Sequence, residues 1–530
     1  MKGMIVCAEP LAAQAGREIL LEGNAADAAV ATAFAQGVVN PFMCGLGGMG
    51  IAAVHHGPTA ERAVIDCYAA IGSVPPPASW VDEYVGRLET YGRFVINSED
   101  NQAGYKSIMV PGVVRGYHEM WQRYGSGRVP WRRLMEPAAR LAQEGYAVGA
   151  ALAEMWARDE DAPGLPSRAK KFARSPEAAR IFGRPYPEGK RFAQPDYART
   201  LERIGDGGPD DFYTGSLGRE IADDLERGAS LIAPHDLAEY RARPLPPLTG
   251  TYHECEVAGP PVPCGTAHLI EMLQVADGLE WARLDPLGPD YVELATAIMR
   301  VTFGEHVPLK LDPPYLVAHH RLHELTSRGH ADEVRRRITA ERRGADPGTT
   351  HLTAADGDGT VVSFTHSLGS GAGSGVVTRG LGFLYNNFLG HYNPLPNRWD
   401  SIVPGKRGVG TTPAVLYRGG RPWLGIGAAG GSRINTAVFQ TVLNVVERGM
   451  TARDAVAAPR CHSEEAMIVF VEEGYPEATV RDLARRGYDV RRTQHVARVQ
   501  AVLIDPSGTM HAGPDPRGGS GSAQVPEKGG

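Results

Sequence analysis

The run from Ala25 to Val39 carries small and apolar side chains on nearly every side, with Asn24 placed to cap its start and Asn40-Pro41 to stop it. A helix that apolar has no face to offer water, so it must be buried between layers. The chain has 530 residues, 42% apolar and 22% charged, enough for one large layered core or several ordinary domains.

Glycines at 45, 47, 48 and 50 lead from that helix into a strand-like run over 51–55. Residues 110–146 read as helix broken by turns at Gly125 and Pro130, and the Arg/Glu-rich stretch 150–240 reads as an outer, more solvated layer. A helix is predicted over 267–281, and the charged stretch 320–348 has the pattern of an exposed linker. The texture then changes. Runs at 350–355 and 360–367 surround Asp356-Gly357-Asp358-Gly359, a strong hairpin signal. A turn centred between Gly357 and Asp358 pairs Thr349 near His366, with Thr365 and Ser367 on either side. Further β-type runs lie at 376–377, 383–385, 414–417, 423–426, 467–471 and 500–504, with helices at 432–448, Ala452–Ala457 and 477–486 between them. Stacked sheets covered by helices are the expected fold, followed by a disordered tail over 514–530.

Several function classes drop out. Lys and Arg number 55 against 61 Asp and Glu, a net charge of −6 with no basic stripe, so nucleic acid is not an expected partner. No apolar run approaches the roughly 18 residues of a membrane span. Six scattered cysteines form no CxxC pair, which suits a reducing compartment and, with no signal-peptide core before Glu9-Pro10, a cytoplasmic location. His319, His320 and His323 crowd one helix turn without a carboxylate at metal spacing, and adjacent Cys461 and His462 rarely face each other, so no metal site is expected.

Three signals could carry chemistry. Gly45-x-Gly47-x-x-Gly50 fits a dinucleotide string but follows a helix and precedes a strand, the reverse of what phosphate binding needs. A turn where backbone segments pack closely is the better reading. The stretch 425–432 follows a strand and opens a helix, so its free N–H groups suit a phosphate, a transient oxyanion or plain packing. The third is Gly348-Thr349-Thr350-His351, set between a charged linker and a hairpin.

Thr349-Thr350-His351, the Asp-Gly hairpin and Gly430-Gly431-Ser432-Arg433 together resemble the small-subunit start of the γ-glutamyltranspeptidase family. Gly23-Asn24-Ala25-Ala26-Asp27, Gly45-Leu46-Gly47-Gly48, Val110-Pro111-Gly112, Asn386-Asn387, Pro404-Gly405-Lys406-Arg407, Ala458-Pro459-Arg460 and Asp515-Pro516-Arg517 match its pattern in order along nearly the whole chain. The resemblance implies an αββα N-terminal-nucleophile (Ntn) hydrolase fold of stacked, mainly antiparallel sheets. It implies one precursor cut between Gly348 and Thr349 into a large subunit, 1–348, and a small subunit, 349–530, which together form one domain. Thr349 would be the nucleophile, Ser367 a second hydroxyl beside it, and the amides of Gly430 and Gly431 an oxyanion hole. No cofactor is implied.

The substrate-holding positions depart from the family. Tyr68 stands where an Arg would grip an α-carboxylate. Gly369, Phe388 and His391 fall where an α-amino group would be held, and the Ser-Ser pair is replaced near Thr411. A small non-glutathione substrate is therefore expected, attacked at a carbonyl by amide or carbon–carbon bond hydrolysis in specialised or antibiotic metabolism. An ordinary γ-glutamyl transferase and an uncleaved binding homologue are the alternatives, and self-association into a homo-oligomer stays open.

Overall fold

The computed structural model describes residues 2–88, 92–157, 165–306, 325–337, 349–398, 400–407, 410–464, 467–519 and 521–525. Two antiparallel sheets form the centre. The first runs Gly521–Val525, Gly3–Cys7, Thr350–Asp356, Val361–Ser367, Met49–His56, Glu61–Cys67, Arg243–Leu245. The second runs Met510–Pro514, Arg498–Ile504, Arg421–Ala429, Ala414–Arg418, Cys255–Gly259, Leu248–Tyr252. Each sheet takes strands from both sides of residue 349, so the two parts of the chain share one fold. The sheets stack directly: Ser363 Oγ donates to Ile426 O at 2.9 Å, and Thr353 Oγ1 to Gln500 O at 3.3 Å.

Helices Pro10–Glu22 and Ala25–Val39 cover the outer face of the first sheet, and Thr266–Ala276 and Arg433–Arg448 that of the second. Every residue of Ala25–Val39 is buried, because Val113–Tyr124 and Trp131–Glu144 close over the side turned away from the sheet. Its start is a capping box in which Asn24 accepts from the Asp27 amide and Asp27 accepts from the Asn24 amide. The hairpin turn helps to hold the same end. Asp356 Oδ2 accepts from Ala25 N at 2.8 Å, while Oδ1 accepts from Asp358 N and Thr360 N, each at 3.0 Å.

Five expectations need correcting. The hairpin turn centres on Asp358, one half-step later than expected, so Thr350 rather than Thr349 pairs with His366. The cause is the Asp356 carboxylate, which organises a longer turn through Thr360. The runs at 376–377 and 383–385 form no strand. They approach each other through Ser374 N to Tyr385 O and Tyr385 N to Val376 O, but Gly373, Gly375, Gly380 and Gly382 all have positive φ and break any ladder. The helix at 267–281 is Thr266–Ala276, ended at Asp277 before Gly278 with φ 87°. The tail from Pro514 is ordered as far as it is described. Asp515 is buried against Arg460 at 2.6 Å, and Gly521–Val525 pairs with Gly3–Cys7 as an edge strand. The stretch 320–348 is not an exposed linker where it is described: Arg328–Arg337 is a helix that buries Ala331 and Val334 against Thr266–Ala276, with His330 bonded to Glu271 at 2.9 Å, because its apolar residues share one face. Residues 526–530, 338–348 with Gly348, and His319, His320 and His323 lie outside the described residues.

Candidate active site

Thr349 sits at the head of the strand Thr350–Asp356 in the middle of the first sheet, 6% exposed. Continuing the ladder one residue past Thr350 and His366 puts Thr349 opposite Ser367, which itself pairs with Met49 on the other side. Side chains alternate along a strand, so Thr349 and Ser367 share the face of His351 and Thr353 and point between the sheets.

That face meets Gly425 and Gly427 of the second sheet. A methyl group on Gly425 would lie 2.8 Å from Thr353 Cγ2, and one on Gly427 2.7 Å from His351 Nδ1. The next step of two brings Ala429 level with Thr349, and the strand ends there. Gly430 (φ 153°) and Gly431 (φ 54°) then turn the chain into the helix Arg433–Arg448. Strand, glycine pair and helix N-terminus follow in the expected order. The tight turn is fixed from below: a Cβ on Gly430 would meet Ala497 Cβ at 2.6 Å. The 496–499 backbone is itself pinned by Glu472, Arg460 and Asp515, through Val496 N to Glu472 Oε1 at 2.7 Å, Arg460 Nη2 to Ala497 O at 3.1 Å and Val499 N to Asp515 Oδ2 at 2.7 Å.

The glycines at 45–50 serve close packing. A Cβ on Gly48 would stand 2.7 Å from Ser367 O, and one on Gly47 2.7 Å from Tyr385 Cα. The turn thereby lets Asn386 and Asn387 approach the end of the Ser367 strand. Asn386 bonds Gly47 O, Met109 O and the Met109 amide, and is wholly buried.

The five candidate substrate residues fall in two groups. Tyr68 and Thr411 meet: their hydroxyls are 2.9 Å apart, the Thr411 amide donates to Tyr68 OH at 3.2 Å, and Cys264 Sγ donates to it at 3.3 Å. Burial and then Cys264 hold the Tyr68 phenol above its ordinary pKa. Neighbouring Thr412 bonds Asn435 in the helix that follows the glycine pair, so this group links both sheets. The second group gathers at the end of the Ser367 strand. Gly369 N donates to Ser367 Oγ at 2.9 Å, and Phe388 stacks on His391 with ring centroids 5.6 Å apart. Tyr68 and Phe388 belong to one apolar cluster with Met49, Ile96 and Cys264.

Sequence reasoning missed a polar cluster on the opposite face of the same strand. Glu9 accepts from Gln36 Nε2 and Asn40 Nδ2, each at 2.6 Å, and Thr350 Oγ1 donates to it at 3.4 Å. Burial raises the Glu9 pKa, against the pull of these bonds. His366 bonds Gln36 Oε1 at 2.9 Å and Tyr117 OH at 3.0 Å in this cluster, whereas His351, on the face of Thr349, bonds Thr365 and Thr353. Burial pushes both imidazoles down to about 3, so both are neutral at ordinary pH and neither is a titrating base there. Gln36 near the end of the apolar run and Asn40 just past it, four residues apart, were the available signal.

The profile described as Gamma-glutamyltranspeptidase matches residues 12–525. The chain belongs to the γ-glutamyltranspeptidase family. It is 32% identical over 526 residues to the Acylase ACY 1 proenzyme of Pseudomonas sp. (strain V22), covering 96% of this chain and 91% of that one. To the glutathione hydrolase proenzyme of Escherichia coli (strain K12) it is 27% identical, with 97% and 90% covered. The solved cephalosporin acylase from Bacillus halodurans superposes with a TM-score of 0.84 at 27% identity, over 99% of this chain and 96% of that one. The Helicobacter pylori γ-glutamyltranspeptidase gives 0.54 at 26% identity, over 62% and 90%. The protein is thus an enzyme of the Ntn-hydrolase type, a divergent member of its family with the stacked-sheet fold. No helix among the described residues is long and apolar enough to cross a membrane.

Proposed function

We propose that this protein is a self-cleaving acylase that hydrolyses the amide of a small non-glutathione substrate through Thr349. The register carries the reading. Thr349 heads a central strand opposite Ser367, level with the strand end at which Gly430 and Gly431 open a helix. In the precursor the Thr349 hydroxyl attacks the Gly348 carbonyl, moving that acyl group from nitrogen to oxygen, and water then releases the ester. Two subunits of one precursor result, as the proenzyme names of the relatives suggest for those proteins.

The freed α-amine, with a free-solution pKa of roughly 8, takes the Thr349 hydroxyl proton as the oxygen attacks the substrate carbonyl. The Gly430 and Gly431 amides hold the oxyanion, and Ser367 orients the Thr349 oxygen. The ammonium returns its proton to the leaving amine, and water then hydrolyses the acyl ester.

An acylase is favoured over a γ-glutamyl transferase because the Tyr68 and Thr411 hydroxyls satisfy each other where the family needs a guanidinium and free hydroxyls. The relatives at 32% identity are acylases, which favours amide over carbon–carbon hydrolysis. Six buried, unpaired cysteines support a reducing, cytoplasmic compartment. Mass spectrometry of enzyme quenched during turnover of acyl anilides tests the chemistry. An acyl adduct on the fragment that begins at Thr349 supports it; turnover with the adduct elsewhere overturns it.

A further inference from the structure

Gln36 is wholly buried in a helix made mostly of alanine and valine. An amide there costs stability unless its polar atoms are matched, and a leucine would pack without that demand. Here they are matched. Nε2 donates to Glu9 Oε2 at 2.6 Å and to Thr350 Oγ1 at 3.4 Å, and Oε1 accepts from His366 Nε2 at 2.9 Å. Because Oε1 can only accept, His366 Nε2 carries the ring proton and Nδ1 takes the Tyr117 hydroxyl at 3.0 Å. Glu9 sets this direction. Asn40 and Thr350 also donate to its carboxylate, and a Gln36 amide turned over would set one acceptor against another.

The place of these partners matters most. Thr350 and His366 are paired across the ladder, and they are the chain neighbours of Thr349 and Ser367. Gln36 thus bonds both members of the pair beside the reacting pair, from the opposite face of the sheet. The start of the same helix is tied to the closed end of the hairpin, where Asp356 accepts from Ala25 N at 2.8 Å. The helix lies along the hairpin as a splint, fixed by Asp356 at the closed end and by Gln36 at the open end.

We propose that Gln36, oriented by Glu9, is a positioning residue for the Thr349 reaction: it bridges Thr350 and His366 so that the oxygens of Thr349 and Ser367 stay level across the ladder. Without the bridge the open end of the hairpin can shear while Asp356 still holds the closed end. The reacting oxygens then lose their alignment. Substrate meets the other face of the sheet, so the loss falls on the chemical step and not on affinity.

The inference rests on Thr349 as the nucleophile, which scission of the wild type tests without any variant. The experiment follows precursor scission in cell-free translation, and kcat and KM of cleaved enzyme on butyryl p-nitroanilide. It compares wild type, Gln36→Leu, Thr350→Val and the two combined, per active site and well below the unfolding midpoint. Asp356→Ala, which weakens the same hairpin at its closed end, is the comparator for lost stability. Gln36→Leu slows scission and lowers kcat by roughly 10–100-fold, with KM within about twofold of wild type. Thr350→Val, nearly isosteric, cuts only the longer contact and lowers both rates by roughly 3–10-fold. The combined variant is no worse than Gln36→Leu within about twofold, because both act through one bridge. Asp356→Ala lowers the urea midpoint and leaves kcat within about twofold of wild type. A loss in KM instead of kcat, an equal loss of kcat in Asp356→Ala, or additive losses in the combined variant overturns the bridge and leaves Thr349 standing. Unchanged scission and kcat in Thr350→Val overturn it on their own, whatever Gln36→Leu does to folding.

Discussion

Gly427→Ala tests how the second sheet sets the nucleophile without touching the nucleophile itself. The new methyl would lie 2.7 Å from His351 Nδ1. The strand Arg421–Ala429 cannot retreat, because it is laddered to Ala414–Arg418 on one side and Arg498–Ile504 on the other. The imidazole must move, and its bonds to Thr365 Oγ1 at 2.8 Å and Thr353 Oγ1 at 3.1 Å stretch or break. Overpacking costs about 1–3 kcal/mol, and each weakened neutral bond about 1 kcal/mol more. The sum, roughly 2–5 kcal/mol, stays below a typical folding margin of about 5–15 kcal/mol, so the protein folds but is weakened. Thr349 lies two residues along the same strand, and a shift of about 1 Å there costs on the order of 100-fold in rate. Urea unfolding of Gly427→Ala against its parent, both in a Thr349→Ala background so that each is one chain, reads the stability. Chain scission and anilide turnover of Gly427→Ala alone read the chemistry. Gly149→Ala, where a methyl meets nothing within 4 Å, serves as the control and changes neither. Unaltered stability together with normal scission in Gly427→Ala would refute the packing argument.

Three further outcomes are expected. Gly430→Ala places a methyl 2.6 Å from Ala497 Cβ at a φ of 153°, so turnover should fall by about 100-fold or more with the fold retained; full activity would remove Gly430 from the oxyanion site. His351 and His366 are held near pKa 3 by burial, so the unfolded chain takes protons that the folded one refuses: stability is intact above about pH 6.5 and drains as pH falls toward 3. The loss is about 1.4 kcal/mol per pH unit for each histidine, read as a falling urea midpoint that His366→Gln makes shallower; a flat midpoint between pH 6.5 and 5 would contradict it. Asp356→Ala releases Ala25 N, Asp358 N and Thr360 N at once and should cost about 2–4 kcal/mol in the same assay, whereas a change below about 0.5 kcal/mol would show that the turn does not hold the buried helix.

The layered fold was legible because its signals are local. The apolar run Ala25–Val39, the Asp-Gly turn and the strand-to-helix glycines at 430–431 each state their geometry in a few adjacent residues. The hairpin register slipped because one carboxylate, Asp356, serves a turn and a distant helix together, which spacing does not reveal. The edge strand Gly521–Val525 was hidden by its glycine-rich surroundings, since its pairing partner, Gly3–Cys7, lies at the other end of the chain. At the site, Thr349, Ser367 and the glycine pair could be named from family pattern. Tyr68 and Thr411 could be named but not seen to satisfy each other.

The most direct test is intact mass of the purified wild-type chain beside Thr349→Ala. Two fragments meeting at Gly348/Thr349 in the wild type, with a single unbroken chain in the variant, are the expected result. One unbroken chain in both, or the same two fragments in both, would contradict Thr349 as a self-released nucleophile.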